Sequence, residues 1–372
     1  MIYLDHAATS MHKPPEVMKA VMEAMQTCAS IGRSGHEAAR KAAEIAYECR
    51  VMAAEFFETA PEQVVFTAND THGLNIAIQS LIGPGDRVVV SGFEHNAVVR
   101  PLYHLGAQII TAGQRLFDPE DTRNAFSQAV TPQTKAVICT HVSNVFGYIL
   151  PVEEIAVLCR ERNVPFILDA SQSAGVLPVS LKQLGAAFIA MPGHKSLLGP
   201  QGTGLLLCGQ TPKPLLFGGT GSNSLDMGMP AFLPDIAETG THNVPGIAGL
   251  GASLTYLKNR GIVSVRAQEQ RLMQLLRSSL SQIPEIRCFF GTNETQAGVL
   301  SLQIPGVDCE TVAQKLAERG IAVRAGLHCA PLAHVSAGTV EEGTVRVSVS
   351  DKNTVQEIHQ LVQALKELTR QK

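Results

Sequence analysis

Two residues with reactive side chains follow neighbouring apolar runs in the middle of the sequence. Asp169 ends the run PFILD, and Lys195 lies 26 positions later, just past the next run, in MPGHKS. A buried carboxylate needs a partner because burying it alone is costly, and a protonated pyridine nitrogen is such a partner. A lysine that loses its proton in a semi-buried pocket can do Schiff-base chemistry. The alternatives are that Asp169 caps the next helix and that Lys195 is an ordinary surface lysine.

Further polar side chains follow the other apolar runs. Thr71, His72 and Gly73 are expected at the start of a helix, where backbone N–H groups and the helix dipole favour a phosphate, although such residues also form ordinary helix caps. His95 could stack on a cofactor ring or could be a hydrogen-bonded loop histidine, and Asn144 follows another run. Ligands of α/β sheets bind at the carboxyl ends of strands, so this convergence indicates a single site.

The runs that must position these residues are short and continuously apolar, which is typical of strands buried on both faces. Segments with helical spacing lie between many of them, for example residues 72–81 and 152–162. This alternation predicts an α/β architecture with a mostly parallel sheet. The predicted strands are Val64–Thr67, Arg87–Ser91, Gln108–Ala112, Ala136–Thr140, Pro165–Asp169, Ala187–Met191 and Gly204–Cys208.

The pattern changes after about Pro245. One long helical stretch over residues 247–283 is expected first. A strand at 298–304, a helix at 310–318, strands at 321–324 and 344–350, and a helix from 354 follow. We therefore divide the chain into residues 1–15, which pack with a small domain, a large domain 16–246, and a smaller α+β domain 247–372.

Composition excludes several classes of function. The 372 residues carry a formal net charge of −3 without a Lys/Arg run, so neither nucleic acid nor an anionic membrane is an expected partner. No apolar stretch is long enough to predict a transmembrane helix, and the N-terminus does not resemble a signal peptide, so the cytoplasm is the expected compartment. The cysteines and histidines lack zinc-site spacing, and no metal site is expected.

Motifs along nearly the whole chain carry a resemblance to a known family. They are YLDHAATS, GRSGHEAAR, FTANDTHGLN, FEHNAVVRP, VSNVFG, DASQSAG, PGHKSLLGPQGTG, ETGTHN, VRAGLHCAP and GTVRVSVS. With these motifs the sequence resembles the class V aminotransferase superfamily of fold-type I pyridoxal 5′-phosphate (PLP) enzymes, and within it the cysteine desulfurases and selenocysteine lyases. The combination of D-A-S-Q, G-H-K and R-A-G-x-H-C is highly specific.

The resemblance implies a role for each matching position. Lys195 would bind PLP as a Schiff base and act as the main acid and base, Asp169 would pair with the pyridinium nitrogen, and His95 would stack on the ring. Asn144 and Gln172 would contact the ring hydroxyl and the substrate side. The phosphate would be held by Thr71, His72, Ser171 and His194, and Thr241 would reach the phosphate of the other subunit. Arg346 would bind the substrate α-carboxylate. Thr241 thereby implies a homodimer.

Cys329 lies in a short loop beside Gly326 and His328, which is unusual for a core cysteine. The resemblance implies that its thiolate takes the sulfur of L-cysteine as a persulfide and leaves L-alanine, whereas the alternative is an inert buried thiol. A histidine, the cofactor or an arginine nearby could favour the thiolate. The short loop resembles relatives that often need a dedicated sulfur acceptor, so slow basal turnover is expected without a partner, even when a small thiol reductant is present. The expected acceptor is a protein or a small thiol.

Three departures from the family pattern leave the substrate open. His6 stands where many relatives have Asn, and Leu327 precedes the His-Cys pair where a polar residue is usual. Asp70 precedes Thr71 where many relatives have two hydroxyl residues, and an acid is expected to point away from a phosphate, so Asp70 is left out of the phosphate set. The alternatives are a selenocysteine lyase or another β-eliminating lyase, and a non-catalytic sulfur-relay protein.

Overall fold

The structure is a computed structural model that describes residues 1–31, 34–222 and 225–370. Gly32 and Arg33 of the GRSGHEAAR motif, and the last two residues of the predicted domain 247–372, lie outside these described residues. The strands are β1 Ile2–Tyr3, β2 Val64–Thr67, β3 Arg87–Ser91, β4 Gln108–Ala112, β5 Thr134–Thr140, β6 Phe166–Asp169, β7 Phe188–Pro192, β8 Gly204–Cys208, β9 Arg287–Phe289, β10 Val299–Gln303, β11 Ile321–Ala322, β12 Arg324–Gly326 and β13 Thr344–Ser348. The α-helices are α1 Pro15–Thr27, α2 Glu37–Phe56, α3 Asp70–Leu81, α4 Asn96–His104, α5 Pro119–Ala129, α6 Val152–Glu161, α7 Leu181–Leu184, α8 Val244–Arg260, α9 Ile262–Leu280, α10 Cys309–Glu318, α11 Pro331–Ala337 and α12 Val355–Arg370.

Within the described part of the chain, seven strands form the central sheet in the order β2-β8-β7-β6-β5-β3-β4. Strand β8 is antiparallel to both of its neighbours, and the other pairings are parallel. The mostly parallel seven-stranded sheet predicted from the sequence is therefore confirmed. Its parallel strands are continuous apolar runs because helices cover both faces of the sheet.

The two helical layers explain why alternate strand residues are equally apolar. On one face, Leu74 of α3 and Leu102 of α4 are fully buried together with Val88 of β3. On the other face, Phe126 of α5 and Leu254 of α8 share an apolar cluster with the remaining strand side chains. The site-bearing loops thus leave a sheet that is fixed on both sides.

A second sheet, with the order β12-β13-β10-β9 and antiparallel pairing in each pair, lies in the C-terminal part of the described chain. The N-terminus joins this part, because β1 pairs with β11 and Asp5 forms a bridge with Ser348. The domain division proposed from the sequence stays a prediction. Helix α8 begins near the predicted boundary, and its Leu250 and Leu254 belong to the apolar cluster of the large sheet.

Two sequence-based expectations for this part are wrong. The single helix over residues 247–283 is two helices, α8 and α9, because Gly261 lies between them with a φ of 76° that suits glycine. The single strand at 321–324 is also two strands, since β11 pairs with β1 whereas β12 pairs with β13. The second correction matters for the site, because β12 places Arg324 directly opposite Arg346.

Gly175 sets the distance between the loop that follows β6 and the loop that carries Lys195. Its φ is 93°, and a Cβ atom built on it would lie 2.5 Å from the carbonyl oxygen of Ser196. This close backbone approach requires the absence of a side chain. The same contact holds the segment after Asp169 against the segment that contains Lys195.

We expect Gly175→Ala to lower the free energy of unfolding, because the new methyl group forces two backbone segments apart. Gly85→Ala is the matched control, since Gly85 also has a positive φ, 78°, but no atom lies within 4 Å of its built Cβ. The control loses about 1 kcal/mol from backbone strain alone, and Gly175→Ala loses at least about 2 kcal/mol more. Urea denaturation measures both, and equal losses would contradict the close approach.

Candidate active site

Strand ends and the start of α3 surround a cavity of about 210 Å³. Thr140 ends β5, Asp169 ends β6, Pro192 ends β7, and all three line this cavity. Nine of the residues singled out from the sequence meet here: Thr71, His95, Asn144, Asp169, Ser171, Gln172, His194, Lys195 and Arg346. The side chains of the other three, His72, Thr241 and Cys329, do not line it.

Lys195 and Asp169 form the chemical centre of the cavity. Asp169 is 2% exposed, and its Oδ1 accepts a hydrogen bond from the Ser171 N–H at 2.8 Å. Burial lowers the pKa of Lys195, and the attraction of Asp169 and Asp70 opposes this effect without cancelling it. The amine therefore loses its proton more readily than an exposed lysine does, which is the property that a nucleophilic lysine needs.

His95 presents a neutral ring to the cavity. It caps α4, and its Nδ1 accepts a hydrogen bond from the Ala97 N–H at 3.0 Å. Because Nδ1 is the acceptor, the ring proton lies on Nε2. Burial, followed by the charge of Lys195, lowers the pKa of His95 to about 4, so the ring is uncharged near neutral pH. A flat, uncharged imidazole fixed by a helix cap is suited to stacking on another ring.

Two arginines of the second sheet form part of the cavity wall. Arg346 is 1% exposed, donates to the carbonyl oxygen of Asn144 at 3.0 Å and pairs with Asp5 at 2.8 Å. Its buried Nε has no hydrogen-bond partner among the described residues. Arg324, which stands opposite Arg346 on β12, also lines the cavity. Two guanidinium groups in one wall favour a carboxylate ligand.

Cys329 lies beside this wall, in a strained loop. His328 and Cys329 have φ values of 50° and 58°, which non-glycine residues rarely adopt. The loop is held there by the Asn144 side chain, which donates to the His328 carbonyl at 2.8 Å, and by the Asn96 N–H, which donates to the Cys329 carbonyl at 2.7 Å. Backbone strain that such bonds maintain is typical of functional sites.

The Cys329 thiol itself is accessible and has a cation nearby. Cys329 is exposed, so the alternative of an inert buried thiol is wrong. Its Sγ lies 4.0 Å from Nη2 of Arg324, a residue that lines the cavity. Arg324 therefore connects the thiol with the cavity.

His328 does not supply that positive charge. It is 3% exposed, and its Nε2 lies 3.1 Å from the Thr344 carbonyl oxygen. Burial, assisted by Arg346, lowers the pKa of His328 to about 2, so the imidazole stays neutral. The sequence analysis offered a histidine, the cofactor or an arginine as a group near the thiol. Of these, the structure places an arginine, Arg324, next to Cys329, and the sequence did not indicate which arginine it would be.

His72 and Thr241 line a neighbouring cavity of about 190 Å³ instead. The ring Nδ1 of His72 accepts a hydrogen bond from the Ala68 N–H at 3.2 Å, and the backbone N–H of His72 donates to the Asn69 side chain. Neither the ring nor this backbone N–H therefore faces the site. Thr241 is exposed. Glu238, which precedes Thr241 in the same segment, is held by both terminal nitrogens of Arg50, at 2.8 and 2.9 Å. The contact of Thr241 with another subunit stays a prediction.

Two buried acids beside the site were not predicted from the sequence. Asp70, which was left out of the phosphate set, is 8% exposed and lines the cavity. Glu94 is fully buried, and its carboxylate accepts hydrogen bonds from the Ser91 hydroxyl and the Thr140 N–H. Burial raises the pKa of Glu94 to about 8. The signal available in the sequence was the position of Glu94 next to His95 in the motif FEHN.

The described residues give no support for a metal site or a membrane span. Within residues 1–31, 34–222 and 225–370, no group of three or more His, Cys, Asp or Glu side chains is placed to hold a metal ion. None of the helices in the same ranges is both long and apolar enough to cross a bilayer.

Comparison with known proteins agrees with this arrangement. Residues 2–361 match the family described as Aminotransferase class-V. A probable cysteine desulfurase from Methanothermobacter thermautotrophicus is 33% identical over 385 residues, which cover 99% of this chain and 94% of the relative. The apo structure of the cysteine desulfurase from Thermococcus onnurineus superposes with a TM-score of 0.92 at 30% identity, covering 100% of this chain and 95% of that one. A cysteine desulfurase from Escherichia coli gives 0.87 at 26% identity, covering 98% and 94%. The chain therefore belongs to the class-V aminotransferase family, in the branch formed by the cysteine desulfurases.

Proposed function

We propose that this protein is a PLP-dependent cysteine desulfurase that converts L-cysteine to L-alanine and receives the sulfur on Cys329 as a persulfide. One observation carries the proposal. A single cavity joins Lys195, which has a lowered pKa, to buried Asp169 and Arg346, and an exposed thiol lies at the edge of that cavity.

The residues of the cavity fit PLP. Asp169 can pair with the ring nitrogen, the neutral imidazole of His95 can stack on the ring, and Lys195 can form the covalent bond. Thr71 at the start of α3, together with Ser171 and His194, can hold the phosphate, since the first N–H groups of a helix have no intrahelical acceptor. The bound group supplies an electron sink that makes the substrate Cα–H bond acidic.

The protein's own groups then divide the work. Arg346, which lines the cavity, binds the substrate α-carboxylate and thereby orients the Cα–H bond. Nζ of Lys195 takes the Cα proton and later returns protons to the carbon skeleton.

Sulfur transfer requires Cys329 as the thiolate. Its Sγ attacks the substrate sulfur, so that a sulfur–sulfur bond forms and the Cβ–S bond breaks with its electron pair on carbon. L-cysteine and the protein thiol thus give L-alanine and a protein persulfide, without an external oxidant. The guanidinium of Arg324 lies 4.0 Å from the attacking Sγ.

The persulfide must then pass to an acceptor, either a protein or a small thiol. The loop is short, and the Cys329 carbonyl is tied to Asn96, so the thiol does not travel far from the cavity. We therefore propose an acceptor that approaches the exposed Cys329. We also propose a homodimer, which the exposed position of Thr241 supports.

We expect Cys329→Ala to abolish alanine formation from L-cysteine, because the substrate sulfur then has no nucleophile. The loss is on the order of 10³-fold or more, as for other nucleophile deletions. Formation of alanine from L-selenocysteine persists, because the weaker C–Se bond does not need that attack. Alanine is quantified by mass spectrometry, together with the persulfide on the Cys329 peptide.

The control for this experiment is Cys28→Ala, which removes a partly exposed thiol outside the cavity. It should leave both reactions unchanged. Alanine release from L-cysteine at the wild-type rate by the Cys329→Ala protein would refute the sulfur-transfer role.

We expect Arg346→Lys to raise the KM for L-cysteine by about tenfold or more, with a smaller change in kcat, because lysine keeps the charge but loses the two-pronged contact. Steady-state alanine formation measures both constants. Arg50→Lys is the matched control, since Arg50 is also a paired arginine of low exposure but contacts Glu238 outside the cavity. A KM that rises equally in both variants would show that the effect is only structural.

A further inference from the structure

The backbone carbonyl oxygen of His194 is a crowded hydrogen-bond acceptor. Among the described residues, it accepts from the Ser10 N–H at 3.0 Å, the Ser10 hydroxyl at 2.9 Å, the Thr9 hydroxyl at 3.2 Å and the Lys13 ammonium at 3.0 Å. A carbonyl oxygen has two lone pairs, so these donors exceed its ordinary capacity. The reaction proposed above gives no task to Thr9, Ser10 and Lys13, which we call the His194 clamp.

The His194 clamp holds the peptide unit that precedes Lys195. The His194 carbonyl and the Lys195 N–H belong to one planar peptide unit, so fixing the oxygen fixes the plane. On the other side, the Lys195 carbonyl accepts from the Leu198 N–H at 2.8 Å. Both peptide planes that meet at the Lys195 Cα are therefore held, and this sets the direction in which the side chain leaves the backbone.

Lys13 supplies the charged donor of the clamp. Its ammonium also donates to the Ser10 hydroxyl, which in turn donates to the His194 carbonyl. Burial lowers the pKa of Lys13 to about 8, so most of the amine is still protonated at pH 7. A charged donor makes a shorter and stronger hydrogen bond than a neutral one does. Lys13 does not line the cavity, so we expect it to act through the residues that it holds.

The same N-terminal segment also holds the group proposed to bind the substrate carboxylate. Asp5 pairs with Arg346 at 2.8 Å. Ala7, which lines the cavity, lies between this ion pair and the clamp. Residues 5–13 are therefore attached to the carboxylate-binding arginine at one end and to the peptide unit of Lys195 at the other.

We propose that Lys13 is a positioning residue of the reaction, whose ammonium acts through the His194 carbonyl to direct Nζ of Lys195 toward the cofactor and the substrate. The inference rests on the proposed function, because it needs PLP in the cavity. Loss of the ammonium leaves the ring and phosphate contacts of the cavity in place but allows the peptide plane before Lys195 to turn. The covalent step is therefore expected to slow while non-covalent binding is kept.

The experiment measures these two steps separately, with the full-length protein at pH 7. Covalent capture of PLP by Lys195 is followed by absorbance at saturating PLP. Non-covalent binding is measured with pyridoxine 5′-phosphate, which has the ring and phosphate of PLP but no aldehyde. Lys13→Met keeps a similar length without a donor, and its capture rate is expected to fall about tenfold, as for other small misplacements of a reacting group. Its dissociation constant for pyridoxine 5′-phosphate is expected to change less than about threefold.

Three further variants keep the test decisive. Lys13→Arg keeps a charged donor, and its capture rate is expected to stay within about threefold of the wild type. Ser10→Ala removes a neutral donor to the same oxygen and should slow capture about threefold, which tests the clamp even if Lys13→Met folds poorly. Lys352→Met is the matched control, since the Lys352 ammonium contacts Tyr256 outside the cavity, and it should follow the wild type.

The possible outcomes are distinct. A capture rate that is unchanged in Lys13→Met, or equally low in Lys13→Arg, would overturn the positioning role of Lys13. Binding of pyridoxine 5′-phosphate that weakens as much as capture slows would also overturn it, because Lys13 would then act on phosphate binding or on the fold as a whole. Absence of covalent capture by the wild type would instead refute the proposed function.

Discussion

The site depends on one constraint, which is that an amine must be kept in a poorly hydrated cavity beside carboxyl groups without becoming locked in an ion pair. Burial lowers the pKa of Lys195, and Asp169 and Asp70 pull it upward. The direction of the net shift shows that desolvation outweighs attraction. If Asp169 and Asp70 were both ionised and had the amine as their only partner, Lys195 would remain a cation and could not act as a nucleophile.

The rest of the architecture serves this balance. The parallel strands β5, β6 and β7 end at one edge of the sheet, and the loops that follow bring Asp169 and Lys195 together. The second sheet contributes the guanidinium groups of Arg324 and Arg346 and the strained loop of Cys329. In the proposed reaction the arginines would join substrate binding to sulfur transfer, because both line the cavity and Arg324 also lies 4.0 Å from the thiol.

Much of this arrangement could be predicted from the sequence, because a strand buried on both faces is a continuous apolar run. The polar residue at which such a run ends is therefore easy to recognise in the sequence. Asp169 was found in this way, and His95 and Asn144 were found because they follow the ends of two other runs. Arg324 was missed because its place depends on the register between β12 and β13, which no local pattern encodes. Asp70 was left out of the site although it lines the cavity, because no local pattern in the sequence gives the direction of a side chain at the start of a helix. His72 was assigned to the phosphate from its motif, but its ring turns back to the Ala68 N–H.

The central claim is that Lys195 is the residue that holds PLP covalently, and borohydride reduction tests it most directly. The protein loaded with PLP is reduced, digested and mapped by mass spectrometry. The account predicts a phosphopyridoxyl group on the peptide that contains Lys195, in close to one copy per chain. A reduced adduct on another lysine, or none on Lys195, would contradict it.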